Sequence, residues 1–131
     1  MTLDIETADA SSIVTAFVDA WNGHARSGFD GLFTETAFWV SVAESRMLGR
    51  RAIVDDFDEI HTTWAATTTV VASDIEIVPI ASDVSVALFH ARYLDEGGEV
   101  MPNVDRAMLL VGVRHADGWK VAGGQVTKES R

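Results

Sequence analysis

Four polar side chains in this sequence have types that suit proton transfer or carbonyl polarisation inside an apolar site. His61 lies one helical turn after Phe57, close to a predicted buried stripe, and a histidine can donate or accept a proton near pH 7. Gln125 carries an amide that can hydrogen-bond a ligand carbonyl and polarise it. His90 and Arg106 stand in β-rich stretches. These four residues are the predicted catalytic set.

Each member of this set also has a structural interpretation. A histidine such as His61 is often simply hydrogen-bonded beside a core, and the amide of Gln125 can bond neighbouring backbone. His90 alternates with Leu88, so both share one face, which is either the interior or an outer dimer face. Arg106 reaches the interior if it points the same way as Met108, and there it needs an acid or a ligand carboxylate as partner. On the outer face it would form salt bridges.

Aromatic side chains provide the walls that a pocket would need. Trp21, Trp39, Phe57 and Trp64 come from three predicted elements, and flat aromatic walls suit polycyclic ligands. Aromatic residues at helical spacing are equally typical of plain core packing. The predicted substrate-binding residues are Phe17, Trp21, Trp39, Ser41, Phe57, Trp64, Met108 and Leu110.

The sequence argues against metal and cofactor chemistry. It has no cysteine, and its four histidines show no pair at ligand spacing such as i, i+4. Nucleotide-binding glycine motifs, zinc-protease motifs and serine-hydrolase motifs are also missing. We therefore expect no metal and no cofactor.

Charge and hydropathy limit the classes of molecule that this protein can bind. Ten basic against 20 acidic residues give a net charge of −10, which repels phosphate backbones and anionic headgroups. No window approaches the ~20 apolar residues of a membrane span, and residues 1–10 lack the features of a signal peptide. We expect a cytoplasmic protein that binds neither nucleic acid nor membrane, but a hydrophobic small molecule.

Periodicity indicates the elements that position these residues. Helical spacing predicts helices over residues 9–25, 29–33 and 50–64. Alternation predicts strands over residues 37–42, 67–80, 84–95, 106–115 and 119–127, with a short pairing segment at Met47 and Leu48. Short turns require the later strands to be antiparallel. The length of 131 residues fits one α+β domain, residues 1–131.

The order of these elements resembles the SnoaL-like superfamily, which is built on the nuclear transport factor 2 fold. Within it, five stretches resemble the SgcJ/EcaC family: Ala20-Trp21-Asn22-Gly23-His24, Leu32-Phe33 with Ala37-Phe38-Trp39-Val40, Gly49-Arg50-Arg51-Ala52-Ile53, Asp83-Val84-Ser85-Val86-Ala87, and Gly118-Trp119-Lys120-Val121-Ala122 with Gln125. The resemblance implies a cystatin-like cone, with three N-terminal helices packed on a strongly curved antiparallel sheet, and a homodimer through the outer sheet face. It makes Gln125 the leading polar contact.

The resemblance also implies a function. It favours a small-molecule pocket protein, a cofactor-free enzyme of secondary, polyketide-type metabolism that cyclises, isomerises, dehydrates or hydrolyses a hydrophobic substrate. In ketosteroid isomerase relatives two acids do this work, and Ser41 and Leu110 stand at the corresponding places. Enolisation by acids at those two positions is therefore not expected. The alternatives are a non-catalytic binding or carrier protein and a dimeric interaction module whose cone is packed shut.

Overall fold

Three helices and a 3₁₀ turn occupy the N-terminal half of the protein. The computed structural model describes residues 2–102 and 104–128, with side chains from residue 10 onward. Helix α1 is Thr2–Gly23, α2 is Arg26–Asp30, α3 is Arg50–Ile60, and the 3₁₀ turn is Trp64–Thr67. No helix in this part of the chain combines the length and the apolar character needed to cross a membrane.

Six strands form one sheet in the order β2-β1-β6-β5-β4-β3. Their bounds are β1 Phe33–Val40, β2 Arg46–Leu48, β3 Thr69–Ala81, β4 Val84–Leu94, β5 Arg106–His115 and β6 Gly118–Lys128. The α+β, cystatin-like fold predicted from the sequence is confirmed. The sheet is mixed rather than purely antiparallel, because β1 and β6 pair in parallel. These two strands are far apart in the sequence, so the connection between them can pass through the rest of the sheet.

The helices cover one face of the sheet, and the core lies between them. Ile13 and Phe17 of α1 and Ile53 of α3 are almost fully buried against Phe89 and Leu110 of the inner sheet face. Alternation explains the sheet's contribution, because every second residue of β4, from Ser85 to Tyr93, is buried. The inner face thus carries the side chains that meet the helices.

Helix α3 ends four residues earlier than its apolar stripe predicts. The stripe continues to Trp64, but the helix stops at Ile60. The hydroxyls of Thr62 and Thr63 donate back to the carbonyls of Glu59 and Ile60, at 2.6 and 2.8 Å. Such local side-chain bonds offer the backbone an alternative to helix, so the chain turns here. Trp64 consequently lies in the 3₁₀ turn.

Phe33 belongs to a strand and not to the second helix. Helix α2 ends at Asp30, where the Gly31 amide bonds back to the Ser27 carbonyl at 3.1 Å. Phe33 then opens β1 and pairs with Val121 of β6. Its aromatic ring is buried in the core, which it reaches from the sheet side.

Candidate functional site

An apolar cavity opens between the helices and the inner face of the sheet. Its volume is about 70 Å³, and its mouth is open to solvent. This volume is small for a ligand site, so it excludes a large polycycle and fits a small ring system that extends into the open mouth. The lining residues are Phe17, Trp21, Trp39, Ser41, Val42, Asp56, Phe57, Ile60, Trp64, Tyr93, Arg106, Met108 and Val126.

Aromatic rings from helices and strands pack against one another to form one wall. The Trp21 ring lies 4.9 Å from that of Tyr93 and 5.7 Å from that of Trp64, measured between centroids. Phe57 stands edge-on to Trp39 at 5.3 Å. Trp64 is 42% exposed, which places it at the mouth. A flat apolar ligand can therefore enter beside Trp64 and contact rings held rigidly by their neighbours.

Asp56 contributes a carboxyl group to this wall. It lies on α3 next to the buried side of the helix. Ile53 and Phe57 on that side are buried, and Ile60, one turn later, also lines the cavity. Partial burial raises the pKa of Asp56, and the negative charge of Glu59 raises it further. A carboxyl in such surroundings is a better proton acceptor than an exposed aspartate, so Asp56 is equipped for acid-base chemistry.

Tyr93 and Arg106 add two hydrogen-bond donors on the sheet side. Tyr93 is only 3% exposed, and burial raises the pKa of its hydroxyl while the Arg106 charge lowers it by less. Tyr93 is therefore a neutral donor at every ordinary pH. Arg106 follows on β5, where its neighbour across the strands is Ala91, two residues before Tyr93. The two side chains are thus diagonal neighbours on one face.

Most of the residues expected to contact a substrate do line the cavity. Phe17, Trp21, Trp39, Ser41, Phe57, Trp64 and Met108 are all part of its wall, together with Arg106 from the expected catalytic set. Leu110 is not: it is completely buried in the core, on β5 beside its pairing partner Gly124 of β6. The structure thus brings together the aromatic groups and one of the four polar groups.

Gln125 points away from the cavity, which corrects the sequence prediction. Simple alternation from Val121 places Gln125 on the inner face, but β6 carries a bulge: Gly112 pairs with Val121, whereas Val111 pairs with Gly123. The extra residue reverses the alternation, as β-bulges do. Gly124 and Val126 therefore face inward, and Gln125 is exposed on the outer face.

His90 also lies on the outer face. The inner positions of β4 are taken by Phe89, Ala91 and Tyr93, so His90 is exposed on the opposite side. Of the two faces that the sequence left open, the structure selects the outer one. Neighbouring Arg92 lies on the same side, 3.8 Å from the Asp105 carboxylate.

His61 is close to the cavity but behind its wall. Its ring packs against Trp21 at 4.5 Å between centroids. Nδ1 lies 2.8 Å from the carbonyl oxygen of Phe57, and Nε2 lies 3.2 Å from that of Trp21. Both nitrogens are engaged with the ends of α1 and α3. This geometry corresponds to the hydrogen-bonded structural histidine and not to a group that reaches a ligand.

Asp56 and Tyr93 are the polar site residues that sequence reasoning missed; the apolar ones are Val42, Ile60 and Val126. Asp56 lies at the border of the α3 stripe, one position before Phe57, and its acidic neighbours Asp55 and Asp58 are on the exposed face. Tyr93 continues the alternation of Phe89 in β4 and was detectable from it.

No group of three His, Asp or Glu side chains within the described ranges could hold a metal ion.

Comparisons with known proteins support the fold. No protein-family model matches the sequence, and no curated protein matches it either. An uncharacterised protein with a cystatin-like fold from Caulobacter vibrioides is 25% identical, with a TM-score of 0.82 over 95% of this chain and 91% of that one.

Two further structures are similar to this chain. A nuclear transport factor 2-like protein from Novosphingobium aromaticivorans is 15% identical, with a TM-score of 0.81 and coverage of 96% of this chain and 83% of that one. A ketosteroid isomerase-like protein from Erwinia carotovora atroseptica is 18% identical, with a TM-score of 0.72 and coverage of 96% and 98%. The chain therefore has the cystatin-like fold of nuclear transport factor 2-like proteins.

Proposed function

We propose that this chain is a small-molecule pocket protein and a cofactor-free enzyme that moves a proton on a hydrophobic substrate. The observation that carries the proposal is the Asp56 carboxyl on the wall of an otherwise aromatic cavity. Isomerisation or dehydration through an enol fits this arrangement best. Cyclisation and hydrolysis, the other reactions that the sequence suggests, would use the same proton-transfer group.

The roles of the polar groups follow from their charges. Ionised Asp56 accepts a proton from the carbon next to a substrate carbonyl, and returns it to another atom of the same substrate. The neutral hydroxyl of Tyr93 donates to the carbonyl oxygen, on which negative charge develops as the proton leaves. The aromatic wall excludes water and orients the ring.

The comparisons support this proposal at the level of the fold. One structure with the same fold is ketosteroid isomerase-like, and a shared fold does not by itself transfer an activity. Membership of the SgcJ/EcaC family and a place in polyketide-type secondary metabolism, both implied by the sequence resemblance, are part of the proposal.

The proposal is tested by proton exchange on a bicyclic ketone such as tetralone in heavy water, followed by NMR. The protein should accelerate exchange next to the carbonyl, and D56N should reduce that rate by about a hundredfold or more. D58N is the matched control, because Asp58 is an exposed acid on the same helix, 3.7 Å from Arg26. Equal rates for D56N and the unmodified protein would disprove the role of Asp56.

A non-catalytic binding or carrier protein is the second candidate. It is favoured by the positions of His61, His90 and Gln125, which leave Asp56 as the one carboxyl or imidazole among the lining residues. Stoichiometric binding of apolar ligands without exchange or turnover is the result that would select it.

We also propose a homodimer through the outer sheet face. Phe38 of β1 and Leu88 of β4 are 46% and 37% exposed there, and Leu109 and Val111 lie between them on β5. A contiguous apolar face of this kind is typical of an interface. L88E should convert dimers to monomers in sedimentation equilibrium. V100E, in the turn after β4, should not, and a monomeric unmodified protein would contradict the proposal.

A further inference from the structure

Arg106 is a cation on the cavity wall that has no carboxylate partner among the residues that the structure describes. Its Nη1 donates to the backbone carbonyl of the preceding residue, Asp105, at 3.2 Å. The Asp105 carboxylate is on the other face of the strand, 3.8 Å from Arg92. No carboxylate forms an ion pair with Arg106 in residues 2–102 and 104–128.

Asp56 does not play that role either. It lines the same cavity from the helix side, but its carboxylate forms no ion pair with the Arg106 guanidinium. The cavity therefore presents a carboxyl group on α3 and a separate guanidinium cation on β5. A partly buried guanidinium without a counter-charge is unfavourable, and a ligand anion would relieve that cost.

The donors on the sheet side converge. Arg106 and Tyr93 are diagonal neighbours on the inner face, and the positive charge of Arg106 acts on the Tyr93 hydroxyl. An arginine fork with a neutral phenol beside it provides several N–H and O–H donors and no acceptor charge. A planar carboxylate can accept two hydrogen bonds from such a fork.

We infer that the ligand of this cavity is a small organic acid with a ring-bearing apolar body, whose carboxylate binds Arg106 while its ring packs on Trp21 and Trp64. The hydroxyl of Tyr93 then remains available to donate to the substrate carbonyl. The inference deepens the function proposed above and rests on the same cavity. Because the chain carries a net charge of −10, the molecule as a whole repels anions. Preference for an acid must therefore arise locally, from Arg106.

The test compares naphthoate with naphthamide, which have the same shape and differ in charge. Calorimetry should show that the protein binds the acid about tenfold more tightly or better, as expected for a charge-assisted hydrogen bond. R106Q should remove this preference, because it weakens binding of the acid far more than binding of the amide. R92Q, which alters an arginine on the opposite face, should retain it.

The outcomes separate this inference from the proposed function. Equal affinity for the acid and the amide in the unmodified protein would overturn the inference while the cavity still binds apolar molecules. A loss of preference in R92Q equal to that in R106Q would overturn it as well. Binding of neither compound would overturn both proposals. If R106Q does not fold, the comparison in the unmodified protein decides alone.

Discussion

Asp56 is the residue on which the chemical proposal depends, and its environment predicts an unusual effect on stability. Burial raises its pKa in the folded protein, so the folded state binds the proton more tightly than the unfolded state. The stabilisation from this group is present at acid pH and is lost as the pH rises through the folded-state pKa. At neutral pH the ionised carboxylate is therefore a cost.

D56N should consequently increase the free energy of unfolding at pH 7 relative to the unmodified protein, and the gain should vanish once Asp56 itself is protonated. Urea denaturation at pH 7 and at acid pH measures both differences. D58N should show no such gain, because it removes an exposed carboxylate beside Arg26. A D56N that is less stable at pH 7 would mean that Asp56 has a stabilising partner.

His61 illustrates how one residue can resemble a catalytic group and act as a structural one. A neutral imidazole can donate to only one of the two carbonyls it faces, and a protonated imidazole can donate to both. In either state it links the last turns of α1 and α3.

H61A should therefore lower the free energy of unfolding by about 0.5–1.5 kcal/mol, the net contribution of one side-chain hydrogen bond between the two helices. The two carbonyls keep their backbone donors, the N–H groups of His61 and His24, so the loss stays modest. The affinity of the cavity for an apolar ligand should change little. H115A, at the exposed end of β5, is the control and should leave stability unchanged. If H61A abolished proton exchange without loss of stability, His61 would be catalytic after all.

The glycine pair in β6 shows how an element shapes the cavity. A Cβ on Gly124 would lie 2.8 Å from Cε3 of Trp39 and 3.0 Å from the carbonyl oxygen of Leu109. Trp39 is buried and its ring forms part of the cavity wall. A Cβ on Gly123 would overlap the far end of the Phe38 ring, which is on the exposed side and can move.

G124A should therefore cost about 1–3 kcal/mol of stability through overpacking and should weaken ligand binding by displacing Trp39. G123A should cost clearly less and leave binding intact. Urea denaturation followed by ligand titration measures both effects. Equal effects of the two substitutions would indicate that the strand, and not the Trp39 ring, yields.

Sequence patterns predicted the elements better than they predicted the directions of side chains. Arg106–His115 was found with correct bounds, since its apolar run is flanked by charged residues and followed by the turn signal Asp117-Gly118. Gln125 was placed on the wrong face because alternation is disturbed by a bulge that pairing, and not sequence, defines. The two glycines that precede Gln125, Gly123 and Gly124, were the one sequence feature that could have indicated the bulge, because glycine inside a strand often marks one. Asp56 was missed because partial burial at the border of a stripe is decided by neighbouring strands.

The whole molecule uses the two sides of its sheet for different purposes. The inner side carries the core and the cavity, whereas the outer side carries Phe38, Leu88 and His90. Three of the four tryptophans line the cavity, and Trp119 does not: it lies beside Gly112, with Arg114 over its ring at 5.6 Å. The indole groups of Trp21, Trp39 and Trp64 can therefore report on ligand binding, and that of Trp119 serves as an internal control.

The most direct test of the central claim is an NMR titration of the four indole N–H signals with naphthoate. If the cavity is the binding site, the signals of Trp21, Trp39 and Trp64 should shift together and saturate, while that of Trp119 stays in place. The shifts should need higher concentrations in R106Q. Unchanged signals for all four indoles, or shifts centred on Trp119, would contradict the account.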